Sequence, residues 1–277
     1  MTISLRRAAV AACAAALLVL AGCGDGGDSN EGTPAGDGPG AGLDLVNDGT
    51  LTACTNAPYP PFEFEDAEAP SGYSGFDIDL LQAMADDLGL DLRVENVSFD
   101  AIQSGTTLAA GQCDLGASAI TITEERAANV TFSDPYYDSL QSLLVPADSG
   151  IASIQDLDGM TVGVQAGTTG LSYAQENAPD GAELVEYPGD GELWPALQAG
   201  QIDAILQDLP VNITHARDDE AYVIAEEYPT DEQYGFAMAG DAPAELVDAI
   251  NTALANVRDN GTYQEIYDSY FAIDDQG

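Results

Sequence analysis

The sequence predicts an α/β protein of two lobes with like topology, each a mostly parallel sheet flanked by helices. Three observations carry this. First, short strand-like runs alternate with helical apolar patterns through residues 51–271, and such alternation builds parallel sheets. Second, Leu108-Ala109-Ala110-Gly111-Gln112-Cys113-Asp114 recurs 89 residues later as Leu197-Gln198-Ala199-Gly200-Gln201-Ile202-Asp203, with five of seven positions identical. In both copies a helix stops at Gly and a strand begins. Third, a polar group stands four or five residues past each Asp, Ser118 in one copy and Asp208 in the other. Two such units present their strand ends to one cleft, and ligands of open α/β sheets bind outside the carboxyl ends of strands.

In chain order, residues 1–22 read as a targeting segment. Arg6 and Arg7 give a positive start, and 8–20 is an apolar run shorter than the ~20 residues of a membrane span. It ends in Leu20-Ala21-Gly22-Cys23, which resembles the bacterial lipobox, cleaved before a cysteine that then carries lipid. A plain signal peptide is the rival reading. Residues 23–43 are Gly, Asp, Pro and Ser with almost nothing to bury, so a disordered linker is expected, with a reach of about 25 Å.

Residues 51–55 form a strand broken by Asn56-Ala57-Pro58-Tyr59-Pro60-Pro61, and Phe62-Glu63-Phe64 leads into a turn through Gly75. Residues 76–88 place Phe76, Leu80, Leu81, Met84 and Leu88 on one helical face, with Gly89 as the stop. A strand over 90–97, a helix over 99–110 and a strand over 113–119 follow, and 139–145 is an extended run. The second set has a strand over 160–164 and a turn, Gln165-Ala166-Gly167-Thr168-Thr169-Gly170, into a helix over 171–177. It continues with a strand over 184–187, a helix over 193–199 and a strand over 202–207 ending at Asp208. Helices over 244–260 and 262–271, separated by Gly261, close the chain.

Composition narrows the function classes. There are 48 acidic and six basic residues, no lysine, and a formal charge of −42. Beyond the leader the only basic side chains of the acid–base ladder that stay charged are Arg93, Arg126, Arg217 and Arg258. This balance excludes nucleic acid and anionic lipid surfaces as partners. It reads as adaptation to high salt, where a Debye length near 3 Å at 1 M mutes self-repulsion. The lone His215 excludes most histidine-based catalysis and zinc sites, and no metal or cofactor is expected. Cys54 is expected near the end of one parallel strand and Cys113 at the start of another, beyond the ~7 Å Cα limit for a bridge. Two buried free thiols are therefore expected, in a compartment that permits disulfides.

The stretch that carries most chemistry is Ser118-Ala119-Ile120-Thr121-Ile122-Thr123-Glu124-Glu125-Arg126. It reads as a strand end, a hydroxyl-rich turn and the first turn of a helix, capped by Thr121 with Glu124 or by Thr123. Unpaired N–H groups and one guanidinium suit a carboxylate. With Asn56, Tyr59, Phe99, Gln165, Thr169 and Asp208 at the other strand ends, the set describes a free α-amino acid. Arg126 would fork its carboxylate, Asp208 would pair its ammonium, and Tyr59 and Phe99 would hold its side chain. The alternative for Asp208 is a helix cap, since Leu209-Pro210 follows.

Several stretches, in order, resemble family 3 of the bacterial extracellular solute-binding proteins, the amino-acid receptors of ABC uptake systems. They are Asn56-Ala57-Pro58-Tyr59-Pro60-Pro61-Phe62-Glu63-Phe64, Gly75-Phe76-Asp77-Ile78-Asp79-Leu80, Thr121-Ile122-Thr123-Glu124-Glu125-Arg126 and Phe132-Ser133-Asp134-Pro135-Tyr136-Tyr137. Gln165-Ala166-Gly167-Thr168-Thr169-Gly170 and Gly261-Thr262-Tyr263 match too. The resemblance implies a two-lobed periplasmic-binding-protein-like fold (type II) with two crossing strands, near 138–141 and 233–236. Lobe 1 would be 44–138 plus 236–277, and lobe 2 would be 139–235. It also implies Arg126 as carboxylate binder, Asp208 as ammonium binder, hydroxyl or amide donors at Ser118, Ala119, Thr121 and Thr169, and stackers at Tyr59 and Phe99.

Many members carry Asp where Asn56 stands, and relatives have Lys where Gln165 stands. Both departures remove charge and point to a polar, uncharged ligand side chain. The function implied is capture by a monomer, lipid-anchored through Cys23 on the outer face of the cell membrane, and delivery to an ABC permease. The alternative is a dehydratase of the same fold acting on prephenate-like acids, since some proteins of this architecture are enzymes. Arg126 and Asp208 already satisfy both charged ends of an amino acid, which leaves no spare acid–base pair.

Overall fold

A computed structural model of the chain describes residues 38–272; the leader and Cys23 lie outside the described residues. The first lobe opens with β1 (Thr50–Thr55), the small hairpin β2 (Phe64–Glu65) and β3 (Tyr73–Ser74), and α1 (Phe76–Leu88). Then come β4 (Asp91–Asn96), α2 (Phe99–Gln103), α3 (Thr106–Ala109), β5 (Leu115–Gly116), α4 (Glu124–Ala127) and β6 (Val130–Phe132). The long β7 (Tyr137–Pro146) leads into the second lobe, which contains β8 (Thr161–Gln165), α5 (Thr169–Asn177), β9 (Glu183–Tyr187), α6 (Asp190–Gln198), β10 (Ala204–Asp208) and α7 (Leu209–Asp218). The equally long β11 (Tyr222–Tyr234) returns to β12 (Ala237–Ala239), α8 (Ala244–Asp259) and α9 (Thr262–Phe271), back in the first lobe. No helix among the described residues is long and apolar enough to cross a membrane.

The two sheets have matching orders, β4-β1-β5-β12-β6 and β9-β8-β10-β7-β11. In each, three parallel strands are followed by two antiparallel ones. The repeated segment explains the match. Asp114 accepts the Thr52 N–H at 2.7 Å and returns its own N–H to the Thr52 carbonyl at 2.8 Å. Asp203 does the same with Thr161, at 2.8 and 2.7 Å. Each carboxylate thus pins the start of one parallel strand to its neighbour, and a left-handed Gly, Gly111 or Gly200, delivers the chain to it.

Both sheets bury apolar side chains on both faces, as parallel sheets must. In the first lobe α1 and α8 cover one face with Leu80, Leu81, Met84, Leu246, Ile250 and Leu254. On the other, Phe99, Ile102, Leu108 and Ile120 pack against Val130 and Ala237. The second sheet is covered by Leu171, Ala174 and Ile154 on one side and by Leu193, Leu197 and Ile202 on the other.

Four expectations need correction. The helix over 99–110 is two pieces, because Gly105 is left-handed and Cβ at that position would meet Val130 Cγ1 at 2.8 Å. The strand over 113–119 pairs only at Leu115–Gly116 before the chain turns out toward the cleft. The linker does not run to residue 43: Gly40 N–H donates to Leu88 O at 2.9 Å, and Leu43 packs on the core. Finally, Cys54 and Cys113 form a disulfide, with Cα atoms 5.8 Å apart. So little of the segment is strand that the expected offset between the two cysteines does not arise. Cys113 precedes the two-residue β5 and joins Cys54 in the cluster beneath the sheet, beside Ile102 and Leu108.

Candidate functional site

The N-cap of α4 is Thr123, whose hydroxyl accepts the Arg126 N–H at 3.1 Å. This one-turn helix turns the Arg126 side chain back under the turn. Its Nη1 donates to Thr121 O at 2.8 Å and its Nη2 to Gly167 O of the opposite lobe at 2.9 Å, and the guanidinium carbon lies 5.3 Å from the Phe99 ring centroid. Arg126 is only 5% exposed, yet no carboxylate forms a salt bridge with it among the described residues. Burial lowers its pKa, opposed by the fields of Asp208 and Glu232. A guanidinium has five N–H donors, so at least three remain for an anion. The backbone N–H groups of Thr121 and Thr169 have no acceptor among the described residues, and both residues line the same cavity.

Asp208 ends β10 and is the N-cap residue of α7, with Pro210 in the first turn, but its side chain makes no capping bond. It turns inward instead. Tyr59 of the first lobe donates to Oδ2 at 2.9 Å, Tyr234 donates to it at 2.7 Å, and Gln141 donates to Oδ1. Burial, and secondarily the Glu232 charge, push Asp208 up to about 6. Burial beside Asp208 likewise raises Tyr59 and Tyr234, which keeps both phenols as donors.

One cavity gathers Asn56, Tyr59, Phe99, Ser118, Ala119, Thr121, Arg126, Gln165, Thr169 and Asp208, with Thr168 in addition. Its free volume is about 20 Å³, room for about one water with the lobes drawn together as they are. At one end, Gln165 Nε2 donates to Asn56 Oδ1 across the cleft at 3.0 Å, and Asn56 Nδ2 donates to Val97 O at 2.9 Å. The contacts of Arg126 with Gly167 and of Tyr59 with Asp208 likewise join the two lobes directly. The lobes are closed on one another in this structure.

The floor beneath Ser118 and Ala119 is acidic. Ser118 donates its hydroxyl to Glu63 and accepts the Asn56 N–H at 3.2 Å, so that hydroxyl is occupied within the protein. Ala119 is held at φ 47°, a conformation unfavourable for a residue with Cβ, while its N–H donates to Asp77 at 2.9 Å. Tyr136 donates to the same Asp77 oxygen at 2.7 Å. Neither Glu63 nor Asp77 forms a salt bridge among the described residues. Burial raises both, Asp77 to about 7 and Glu63 well above the usual carboxylate range, where Asp77 adds to the effect.

Sequence reasoning missed Glu232 and Gln141. Glu232 Oε2 accepts from the hydroxyls of Thr121 and Thr169, each at 2.7 Å, and Glu232 Oε1 accepts from Gln141 Nε2 at 3.0 Å. Both residues lie on the crossing strands, far in sequence from their partners and inside no local motif. The weak signal available was that Gln141 falls in one segment expected to cross and Glu232 lies just before the other. His215 bonds Asp190 at 2.9 Å and stacks on Trp194 with centroids 4.3 Å apart. Trp194 is thereby part of the second lobe's own packing and does not line the cavity.

The family model described as "Bacterial extracellular solute-binding proteins, family 3" matches residues 51–273. The chain is 31% identical, over 78% of its length and 84% of the relative's, to the arginine-binding extracellular protein ArtP of Bacillus subtilis. It is 34% identical to the ABC transporter glutamine-binding protein GlnH of Bacillus subtilis, over 72% of this chain and 73% of that one. Among solved structures, an ancestral arginine-binding protein bound to glutamine superposes with a TM-score of 0.75 at 34% identity, covering 81% of this chain and 99% of that one.

Proposed function

The chain belongs to the bacterial extracellular solute-binding proteins, family 3, and on that premise we propose that it captures a free amino acid between its lobes, without chemistry, for an ABC permease. One observation carries the reading: Arg126, a buried cation with no carboxylate in salt-bridge range among the described residues, shares a small cavity with Asp208 of the other lobe. Leaving a buried charge unpaired is costly, and a bound α-carboxylate supplies the missing partner. The α-ammonium goes to Asp208. Because the two groups belong to different lobes, a zwitterion bridging them binds the closed state better than the open one, and that differential affinity drives closure.

The side chain of the proposed ligand is polar and uncharged. It extends toward Asn56 and Gln165, whose amides offer donors and acceptors without net charge, while Tyr59 and Phe99 cover its apolar stem. Relatives named for arginine and for glutamine bracket this choice. The protein acts as a monomer tethered by lipid on Cys23 at the outer face of the cell membrane, a reading that rests on Leu20-Ala21-Gly22-Cys23. Release of a Cys23→Ser variant from membrane fractions tests it. The acidic composition suits saline surroundings.

The deciding experiment is a thermal-shift screen of the twenty amino acids at low and at molar salt, followed by calorimetry on the hits. Glutamine or another neutral polar amino acid is expected to bind, and the ligand-free melting temperature is expected to rise with salt. Tight arginine binding with none for neutral amino acids would overturn the side-chain assignment. Arg126→Ala should lose binding by at least about a thousandfold, since a buried charged hydrogen-bonding partner is removed, with the melting temperature nearly unchanged. An affinity within about tenfold of the wild type in that variant would remove the main support.

A further inference from the structure

We propose that Glu232 is a positioning residue that turns the Thr121 and Thr169 hydroxyls into acceptors for the ligand's ammonium group. The inference rests on the amino-acid reading above and deepens it. Thr121 and Thr169 come from opposite lobes and both line the cavity. Their hydroxyl oxygens lie 3.5 Å apart, and each is 2.7 Å from the same Glu232 oxygen. A hydroxyl has one proton, and a carboxylate has none to give. Both threonine protons therefore point at Glu232, and the lone pairs are what the hydroxyls turn elsewhere.

Without Glu232 the two hydroxyls could rotate and offer protons to the cavity, where they would serve the carboxylate. With it, each threonine has two distinct faces. The backbone N–H is a donor suited to the carboxylate beside Arg126, and the hydroxyl oxygen is an acceptor suited to the ammonium beside Asp208. Asp208 and the two hydroxyls then provide three acceptors, as many as the N–H donors of a primary ammonium. Gln141 holds the arrangement in register, because its Nε2 donates to both Glu232 and Asp208. The donor role that the resemblance implied for Thr121 and Thr169 is retained by their amides and reversed for their hydroxyls. Glu232 is 8% exposed and lies on the returning strand β11, so it reaches both threonines from the floor of the cleft.

The test compares ligands that differ only in the ammonium. Calorimetry is run with L-glutamine and its deaminated analogue glutaramate, and with L-arginine and 5-guanidinopentanoate, on the wild type and on Glu232→Gln. The glutamine side chain keeps the shape but brings N–H donors that turn the threonine protons toward the cavity. Expected is a loss of at least about tenfold for the amino acid and less than about threefold for the deaminated partner, so that discrimination for the ammonium falls. Equal losses for both partners, which leave discrimination unchanged, would reduce Glu232 to a structural role and overturn the proposal. Should Glu232→Gln fail to fold, Thr121→Val carries the same test, with the same selective loss expected and retained discrimination counting against the idea. If the wild type binds neither amino acid nor any other in the screen, the failure belongs to the amino-acid reading.

Discussion

Where the first lobe has Cys54 and Cys113, the second has Gly163 and Ile202. The register makes them equivalent: Ala53 pairs Leu115 in one sheet and Val162 pairs Ala204 in the other, with the Thr–Asp exchange just before each pair. The first lobe fills this spot with a covalent bridge. The second fills it by laying Ile202 against a residue that lacks a side chain, where a Cβ would strike both Ile202 and Leu193. One backbone frame thus accepts two unrelated solutions in its core. At the strand ends the comparison inverts: the first lobe supplies the guanidinium of Arg126 and the second the carboxylate of Asp208, and neither end does the other's work. The frame tolerates exchange where it only packs, and differs at the strand ends that the proposed function assigns to the ligand.

The sharpest way to break this comparison is to remove both fillings in turn. Opening the Cys54–Cys113 bridge, as the double Ala variant or by reduction, should cost about 4 kcal/mol, because the bridge closes a loop with a sequence separation of 59. In the second lobe, Gly163→Ala should cost a smaller amount, roughly 1–3 kcal/mol, since the added methyl must displace branched side chains in a packed core. Denaturant unfolding of each variant measures both losses. Ligand affinity should stay within about threefold of wild type in both, because neither pair lines the cavity. A large affinity change with little loss of stability would mean that the frame and the strand ends are not separable.

Much of the fold was legible because it was written locally. The apolar face from Phe76 to Leu88 and its left-handed stop at Gly89 need no distant partner, and α1 has those bounds. The repeat around Asp114 and Asp203 announced the like lobes. Ten of the eleven cavity residues were also readable, since each sits near a strand end or helix start with a local motif around it. What escaped depends on long-range geometry. Glu232 lies 111 residues from Thr121, and nothing beside it in sequence marks it as a neighbour. The disulfide was missed because the chain around Cys113 follows a turn under the sheet, whereas the argument had assumed a full-length strand. Gly105 lies inside the segment read as one helix, and nothing local marks that Val130, from β6, leaves no room there for a side chain.

The smallest expected effect concerns protons, and it again separates frame from ligand contact. Asp208 is ordinarily half-protonated near 3.8 and is raised to about 6 by burial, with Glu232 adding to the effect. A carboxyl raised in the folded state keeps a proton that the unfolded chain releases, so between about pH 4 and 6 its contribution to stability declines as pH rises. Asp77, raised to about 7, and Glu63, raised well above the usual range, act with the same sign. Ligand binding runs the other way. An ammonium group requires Asp208 ionised, so affinity should fall as pH drops through 6, approaching tenfold per pH unit below it. Moving from pH 7 to pH 5 should therefore raise the ligand-free melting temperature while weakening the complex by about tenfold. Calorimetry at both pH values reads the second effect and thermal unfolding the first. Asp208→Asn should bind weakly at both, with the pH dependence of affinity largely gone, whereas an affinity in the wild type that is flat from 7 to 5 would show that the ligand's cation is held elsewhere.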